Sequence, residues 1–165
     1  MSLSFPIQHR SLAPPFPTQY EAIFGTPFTG MPVIEVVASL QGAGGNWSLP
    51  TTFLLDTGAS ISLLPDVLME TLGISEYFEF DFYGVVERKE CKVPAKIARV
   101  VARLEDDDGN QSPEFPLAAA FASVHTPYPL LGMKNCLELF TIHLDFKAGQ
   151  VTLDWGGFNQ NKVEE

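Results

Sequence analysis

The chain of 165 residues has few cysteines, few basic residues and no long apolar run. Two cysteines, Cys91 and Cys136, are too few for a disulfide framework and lack the paired spacing of a zinc site. They read as reduced thiols in a cytoplasmic protein, with a single bridge between them left open. Ten Lys and Arg stand against twenty Asp and Glu, a formal charge of −10. Such a surface repels phosphate backbones and anionic lipid, so neither nucleic acid nor a membrane is expected as a partner. No stretch approaches the ~20 apolar residues that span a bilayer. The first residues, Met1-Ser2-Leu3-Ser4-Phe5-Pro6, lack the basic start and apolar run of a secretory leader. Asn46-Trp47-Ser48 and Asn110-Gln111-Ser112 therefore read as chance sequon matches in loops. A serine nucleophile elbow is missing as well. Ser60 and Ser62, with His125 or His143, accordingly give little ground for a serine hydrolase, and His143 is expected on the open side of a strand.

What is present fits one domain. Apolar residues make up 45% and charged residues 18%, enough to bury a core. Six of the thirteen prolines fall in the first 32 residues, densest at Ala13-Pro14-Pro15-Phe16-Pro17. Residues 1–28 are expected to form a Pro-rich extension outside the core, a loose tail in preference to a strap laid on the domain by Phe5, Phe16 and Tyr20. The domain proper is placed at residues 29–157, and residues 158–165 form a polar tail.

From Val33 onward the pattern is that of strands. Val33–Leu40 and Thr51–Asp56 form a hairpin around the turn cluster at 42–46. Ser62–Asp66 is extended. A short helix follows over Asp66–Leu72, starting at Pro65 or Asp66, with Gly73 just past its end. Phe78–Arg88, Val93–Leu104 and Phe115–Val124 read as strands, and Pro94 confines the start of the second to an edge. Glu105–Asn110 is a turn, and a metal reading of Asp106, Asp107 and Asp108 has little weight because an EF-hand alternates its ligands. Lys134–Phe140 carries a turn or two of helix. Thr141–Phe146 and Gln150–Trp155 close the fold as a hairpin. Many short strands with one or two short helices make an all-β barrel or sandwich. Six of the ten basic residues lie between Arg88 and Arg103 and read as the solvated side of two strands.

Phe53-Leu54-Leu55-Asp56-Thr57-Gly58-Ala59-Ser60 stands apart. A carboxyl ends an apolar strand, where low polarity favours its neutral form. Gly and Ala then let a ligand approach the backbone closely, and the Thr hydroxyl can brace the turn. Asp, Thr and Gly also suit an ordinary turn. The strand before them and the resumed alternation at Ile61 and Leu63 argue for more.

The chain from about Met31 to Trp155 resembles the retropepsin-like aspartic proteases, the single-lobe relatives of pepsin. Four parts carry the resemblance in order: Leu55-Asp56-Thr57-Gly58-Ala59, the aromatic stretch Phe80-Asp81-Phe82-Tyr83-Gly84-Val85, the second marker Leu130-Leu131-Gly132, and the closing Cys136-Leu137-Glu138-Leu139-Phe140 with its following strand. Met133-Lys134-Asn135 follows the second marker where many retroviral members carry Arg and then Asn or Asp.

The resemblance implies an acid-protease barrel with its active site at a two-fold dimer interface. Asp56 and its symmetry copy would be catalytic, since neither Asp145 nor Asp154 has a matching context. Thr57 would lock the two loops together, Gly58 would bond the substrate backbone, and Ala59 would complete the scaffold. Tyr83, Gly84 and Val85 would close over the peptide as a flap. The implied activity is endopeptidase action on a peptide or protein substrate by a homodimer, with no cofactor and no metal. The competing expectation is a retropepsin-fold dimerisation or peptide-binding module with weak or no turnover.

Overall fold

Alternation of buried and open side chains decides how the strands lie. The computed structural model describes residues 1–11, 30–83, 92–123 and 129–156. Among these residues ten strands are formed: β1 (Ser2–Ser11), β2 (Gly30–Gln41), β3 (Thr51–Leu55), β4 (Ser62–Pro65), β5 (Phe78–Tyr83), β6 (Lys92–Glu105), β7 (Phe115–Ala122), β8 (Leu130–Leu131), β9 (Thr141–Asp145) and β10 (Gln150–Asp154). One short helix, α1 (Val67–Leu72), and a 3-10 turn at Leu137–Leu139 complete the regular structure of the described residues. The fold is all-β, as the strand pattern led one to expect.

Hydrogen bonding links the strands in the order β5-β6-β7-β4-β8-β3-β2-β1-β10-β9. A further pairing of β6 with β2, Val101–Glu105 against Val37–Gln41, closes β6, β7, β4, β8, β3 and β2 into a ring. Most neighbours run antiparallel, but β3–β8 and β4–β7 are parallel. Those parallel pairs arise because the chain returns from far along the sequence. Inside the ring lie Val36, Phe53, Leu64, Leu104, Phe115, Leu117, Phe121 and Leu131, each at most 1% exposed. Phe140 meets Phe115 edge to face at 5.6 Å and Trp155 at 6.5 Å, sealing one end.

Several local expectations meet their counterparts. Asp66 precedes α1 and Gly73 ends it in the left-handed conformation, φ 67°. Pro94 sits where β6 has β5 beside it but has not yet met β7, whose pairing begins at Ala95. His143 is exposed on β9. The 105–110 segment is a turn in which Asp106, 7% exposed, accepts from the backbone of Asp108 and Asn110, the Asn110 side chain and Ser4 on β1. Burial pushes this carboxyl's pKa up, but the donors from Asn110, Ser4 and Asp108 outweigh it and hold the pKa below its ordinary 3.8. Among the described residues no cluster of three or more His, Cys, Asp or Glu is placed to hold a metal ion. No helix among them is long and apolar enough to cross a membrane.

The first eleven residues depart from the expected loose tail. Ser2–Pro6 pairs with β10, and Ile7–Ser11 then pairs with β2. Leu3 and Phe5 are 0% and 3% exposed, packed with Val151 and Leu153 of β10. The alternation Ser2-Leu3-Ser4-Phe5 is a strand pattern that the neighbouring prolines overshadow. Pro6 falls at the changeover between partners, where one missing donor disrupts the ladder least. Arg10 is anchored to Glu35 through Nε, 2.9 Å from Oε1. The prolines from Pro14 to Pro27, together with Phe16 and Tyr20, lie outside the described residues, as does the stretch 158–165.

If β1 belongs to the core, Leu3→Ala lowers unfolding stability by about 2–5 kcal/mol, as for other buried leucines. Urea denaturation reads this directly; a loss near zero would mean that β1 is dispensable.

Candidate active site around Asp56

β3 delivers Asp56 from an apolar strand whose centre, Phe53, is fully buried. The chain then turns through Thr57–Ile61 and leaves as β4. Between β3 and β4 runs β8, parallel to the first and antiparallel to the second. The two separate sequence markers, Asp56–Ala59 and Leu130–Gly132, are therefore adjacent in space.

The contact is made almost wholly by backbone. Asp56 N–H donates to Leu131 O at 2.9 Å, Leu54 N–H to Pro129 O at 2.9 Å, Met133 N–H to Ala59 O at 2.8 Å and Lys134 N–H to Ser60 O at 3.0 Å. Such close approach needs a residue without a side chain at position 132. A Cβ on Gly132 would stand 2.5 Å from the Ile61 carbonyl and 2.9 Å from Ala59 O. Those neighbours are backbone and have no rotamer by which to yield.

The loop tip is open. Asp56 is partly buried, Thr57 and Gly58 are exposed, and Ala59 is partly buried. Gly58 N–H donates to Asp56 Oδ1 at 2.9 Å, which fixes the carboxyl against its own turn. Among the described residues no hydrogen bond reaches Oδ2, leaving that oxygen available to an incoming group. An open groove of about 830 Å³ lies elsewhere, lined by residues such as Asp66, Glu79, Phe80 and Phe121, and does not include Asp56. Among the described residues, then, the candidate carboxyl sits in an open loop tip, partly buried beside the exposed Thr57 and Gly58.

A second apolar cluster connects this loop to the β5–β6 hairpin. Ala95, Ala120 and Ala122 are buried with Ile61 and Leu63 packed against them. Phe80 pairs with Ala95 and Phe78 with Ile97, which places both phenylalanines on the same side of the sheet. Phe78 is 80% exposed and Phe80 52%. The aromatic stretch expected in a flap is thus one arm of a hairpin. Tyr83 is the last residue of β5, opposite Lys92, while Gly84 and Val85 lie outside the described residues.

Other residues weighed from the sequence lie apart from Asp56 or out of reach. Cys136 is a free thiol, fully buried. Burial pushes it up to about 12, the hydrogen bond from Ser62 draws it back, and the Glu138 carboxylate raises it. It stays protonated at neutral pH and is no nucleophile. Ser62 is 0% exposed, which removes it as a nucleophile toward any substrate. Cys91 and His125 lie outside the described residues. Ser62 has a role that sequence reasoning missed: its hydroxyl accepts from Gly132 N–H at 3.0 Å. The buried-face alternation of Ser62 with Leu64 was the available signal.

No family model matches the sequence, and no curated protein does. Among solved structures the chain is similar to a retropepsin-like aspartic protease from Rickettsia conorii, at 18% identity and a TM-score of 0.45, over 72% of this chain and 89% of that one. It is also similar to EIAV protease complexed with the inhibitor HBY-793, at 17% identity and a TM-score of 0.34, over 59% of this chain and 79% of that one.

The packing around Gly132 makes a direct prediction. Gly132→Ala forces the Asp56 loop and β8 apart and costs about 3 kcal/mol by overpacking. Denaturant unfolding measures it; a cost under about 0.5 kcal/mol would mean that the two segments are not locked together.

Proposed function

We propose that this chain is an aspartic endopeptidase that works as a homodimer, with Asp56 and its symmetry copy flanking one water. One observation carries the reading: a carboxyl on an exposed Asp-Thr-Gly-Ala loop, anchored by backbone bonds to Leu131 and Gly58, with its second oxygen open. Among the described residues the loop presents one carboxyl, which is half of an acid–base pair. The cheapest source of the other half is a two-fold copy.

β9 supports such pairing because it ends the strand order of the described residues, and Leu144 on it and Phe146 just after it are 46% and 66% exposed. A sheet edge bearing open apolar side chains favours association.

The chemistry follows from two like charges held close. Both carboxyls cannot ionise together, so the pair carries one proton. The ionised carboxylate takes a proton from the water as its oxygen attacks the scissile carbonyl carbon, and the protonated partner donates to the carbonyl oxygen. The tetrahedral intermediate then collapses, the C–N bond breaks, and the nitrogen leaves with a proton from the dyad.

Gly58 would face the substrate backbone, Thr57 would brace the paired loops, and Ala59 would hold the turn compact. Tyr83, Gly84 and Val85 would cover the peptide, which lies extended along the face bearing Ala95, Ala120, Phe78 and Phe80.

Cleavage of a mixed peptide library from acidic to neutral pH tests the proposal. The parent should cut with a bell-shaped dependence of kcat/KM on pH, because only the singly protonated pair is competent. Asp56→Asn should lower the rate at least about 100-fold while leaving a folded dimer by sedimentation. A folded dimer that binds peptides and never cuts them would sink the enzyme reading in favour of a binding module.

A further inference from the structure

Ser62 lies on β4 with no exposed surface. A buried hydroxyl has to find partners or bear the cost of desolvation. It finds one in the Gly132 N–H, from which it accepts at 3.0 Å. This bond spans 70 residues of sequence and joins the two halves of the Asp56 site.

The amide that Ser62 holds is one end of the Leu131–Gly132 peptide group. The other end, the Leu131 carbonyl, accepts from Asp56 N–H at 2.9 Å. A peptide group is planar, and its C=O and N–H point in opposite directions. One rigid plate therefore bridges the Asp56 backbone on one side and the Ser62 hydroxyl on the other. Each bond polarises the plate in the sense that strengthens the second. If the hydroxyl is lost, the plate is free to tilt about its Cα–Cα axis, and the Asp56 amide is the group that feels it.

We propose that Ser62 is a positioning residue for the Asp56 carboxyl: through the Leu131–Gly132 peptide plane it sets the height and tilt of the loop that presents the carboxyl. The role rests on the peptidase reading above but acts through geometry that can be read without turnover. Ser62 touches neither water nor substrate. Its effect falls on alignment of the reacting carboxyl, a quantity to which rate responds steeply and binding weakly.

The test compares Ser62→Ala and Ser62→Thr in the full chain, by amide hydrogen exchange and by kinetics on a peptide that the parent cuts. In Ser62→Ala the Gly132 and Asp56 amides should exchange at least about tenfold faster, while a distant core amide such as Val151 is unchanged. The kcat should fall about 10- to 100-fold with KM within about twofold. Ser62→Thr, which keeps the hydroxyl, should restore both readouts. Where Ser62→Ala does not fold, Ser62→Cys keeps the volume, weakens the acceptor and must show the same paired exchange signature.

Unchanged exchange at Gly132 and Asp56, a uniform rise that includes Val151, or a kcat within about twofold of the parent would overturn the proposal. If the parent cuts no peptide, the peptidase reading fails by itself. The paired exchange at Gly132 and Asp56 then decides the role of Ser62 alone.

Discussion

A two-residue strand, Leu130–Leu131, organises this molecule around the Asp56 loop. Alone, so short a segment has no stability, since isolated strand pairs are marginal even when much longer. Here it is held on both edges, by β3 and by β4, and Leu131 is fully buried. Enclosure satisfies its backbone groups from two directions, and the next residue, Gly132, is small enough for the Ile61 carbonyl to press against it. Without this insertion β3 and β4 would be separate legs of an open loop. With it, they become parts of one ring, joined through β8, and the loop between them gains a fixed floor. The insertion has a kinetic corollary: the floor arrives some 70 residues after the loop, so the site forms only with long-range closure of the sheet.

Chemistry-bearing parts of the sequence were more legible than the architecture that supports them. Asp56-Thr57-Gly58-Ala59 stood out through residue types that ordinary strands avoid, whereas Leu130-Leu131-Gly132 was visible as a second marker only through the resemblance. That they touch was not read from the sequence, since nothing local to Leu130 says which strands will flank it. Strand and turn positions from Val33 to Trp155 were readable from alternation and from Gly–Asp–Asn clusters. The N-terminal strand was misread because proline density was given more weight than the alternation of Leu3 and Phe5. Its partner β10 lies nearly the whole chain away, and such pairings leave no mark in a local window. Ser62 was noticed for the wrong reason. A serine two residues from a buried leucine on a strand points into the core, and a core hydroxyl is a hydrogen-bonding device before it is a nucleophile.

Small residues set both the reach and the weakness of the site. Gly58 brings its amide within 2.9 Å of the Asp56 carboxyl, and a Cβ there would lie 3.2 Å from the same oxygen. Ala95, Ala120 and Ala122 leave the second apolar face shallow. Alanine and glycine bury little apolar area, so this side of the molecule gains less from the hydrophobic effect than the Phe- and Leu-filled interior of the ring. Rigidity on the shallow side therefore comes from backbone hydrogen bonds and the buried Ser62 contact. That division would suit the proposed function, in which the surface admits another chain while the carboxyl stays in place.

The same economy bears on the proposed dimer. Each copy has a formal charge of −10, so association brings two acidic bodies together and Coulomb repulsion opposes it. Salt at physiological strength screens charges beyond about 8 Å, which removes most of the penalty between distant surface groups but little of it at the contact itself. The contact must then be poor in charge or supply its own apolar gain. Around the Asp56 loop the exposed residues are Thr57, Gly58 and Ser60, all uncharged, and at the β9 edge Leu144 and Phe146 are open. At the loop the carboxyls to be brought together would be the Asp56 pair, while the β9 edge also carries the exposed Asp145 and Lys147. A shared proton lowers that cost, so the protonation state that makes the proposed chemistry competent is also the one that allows the two loops to meet. Assembly and acid–base competence are, on this reading, one equilibrium and not two.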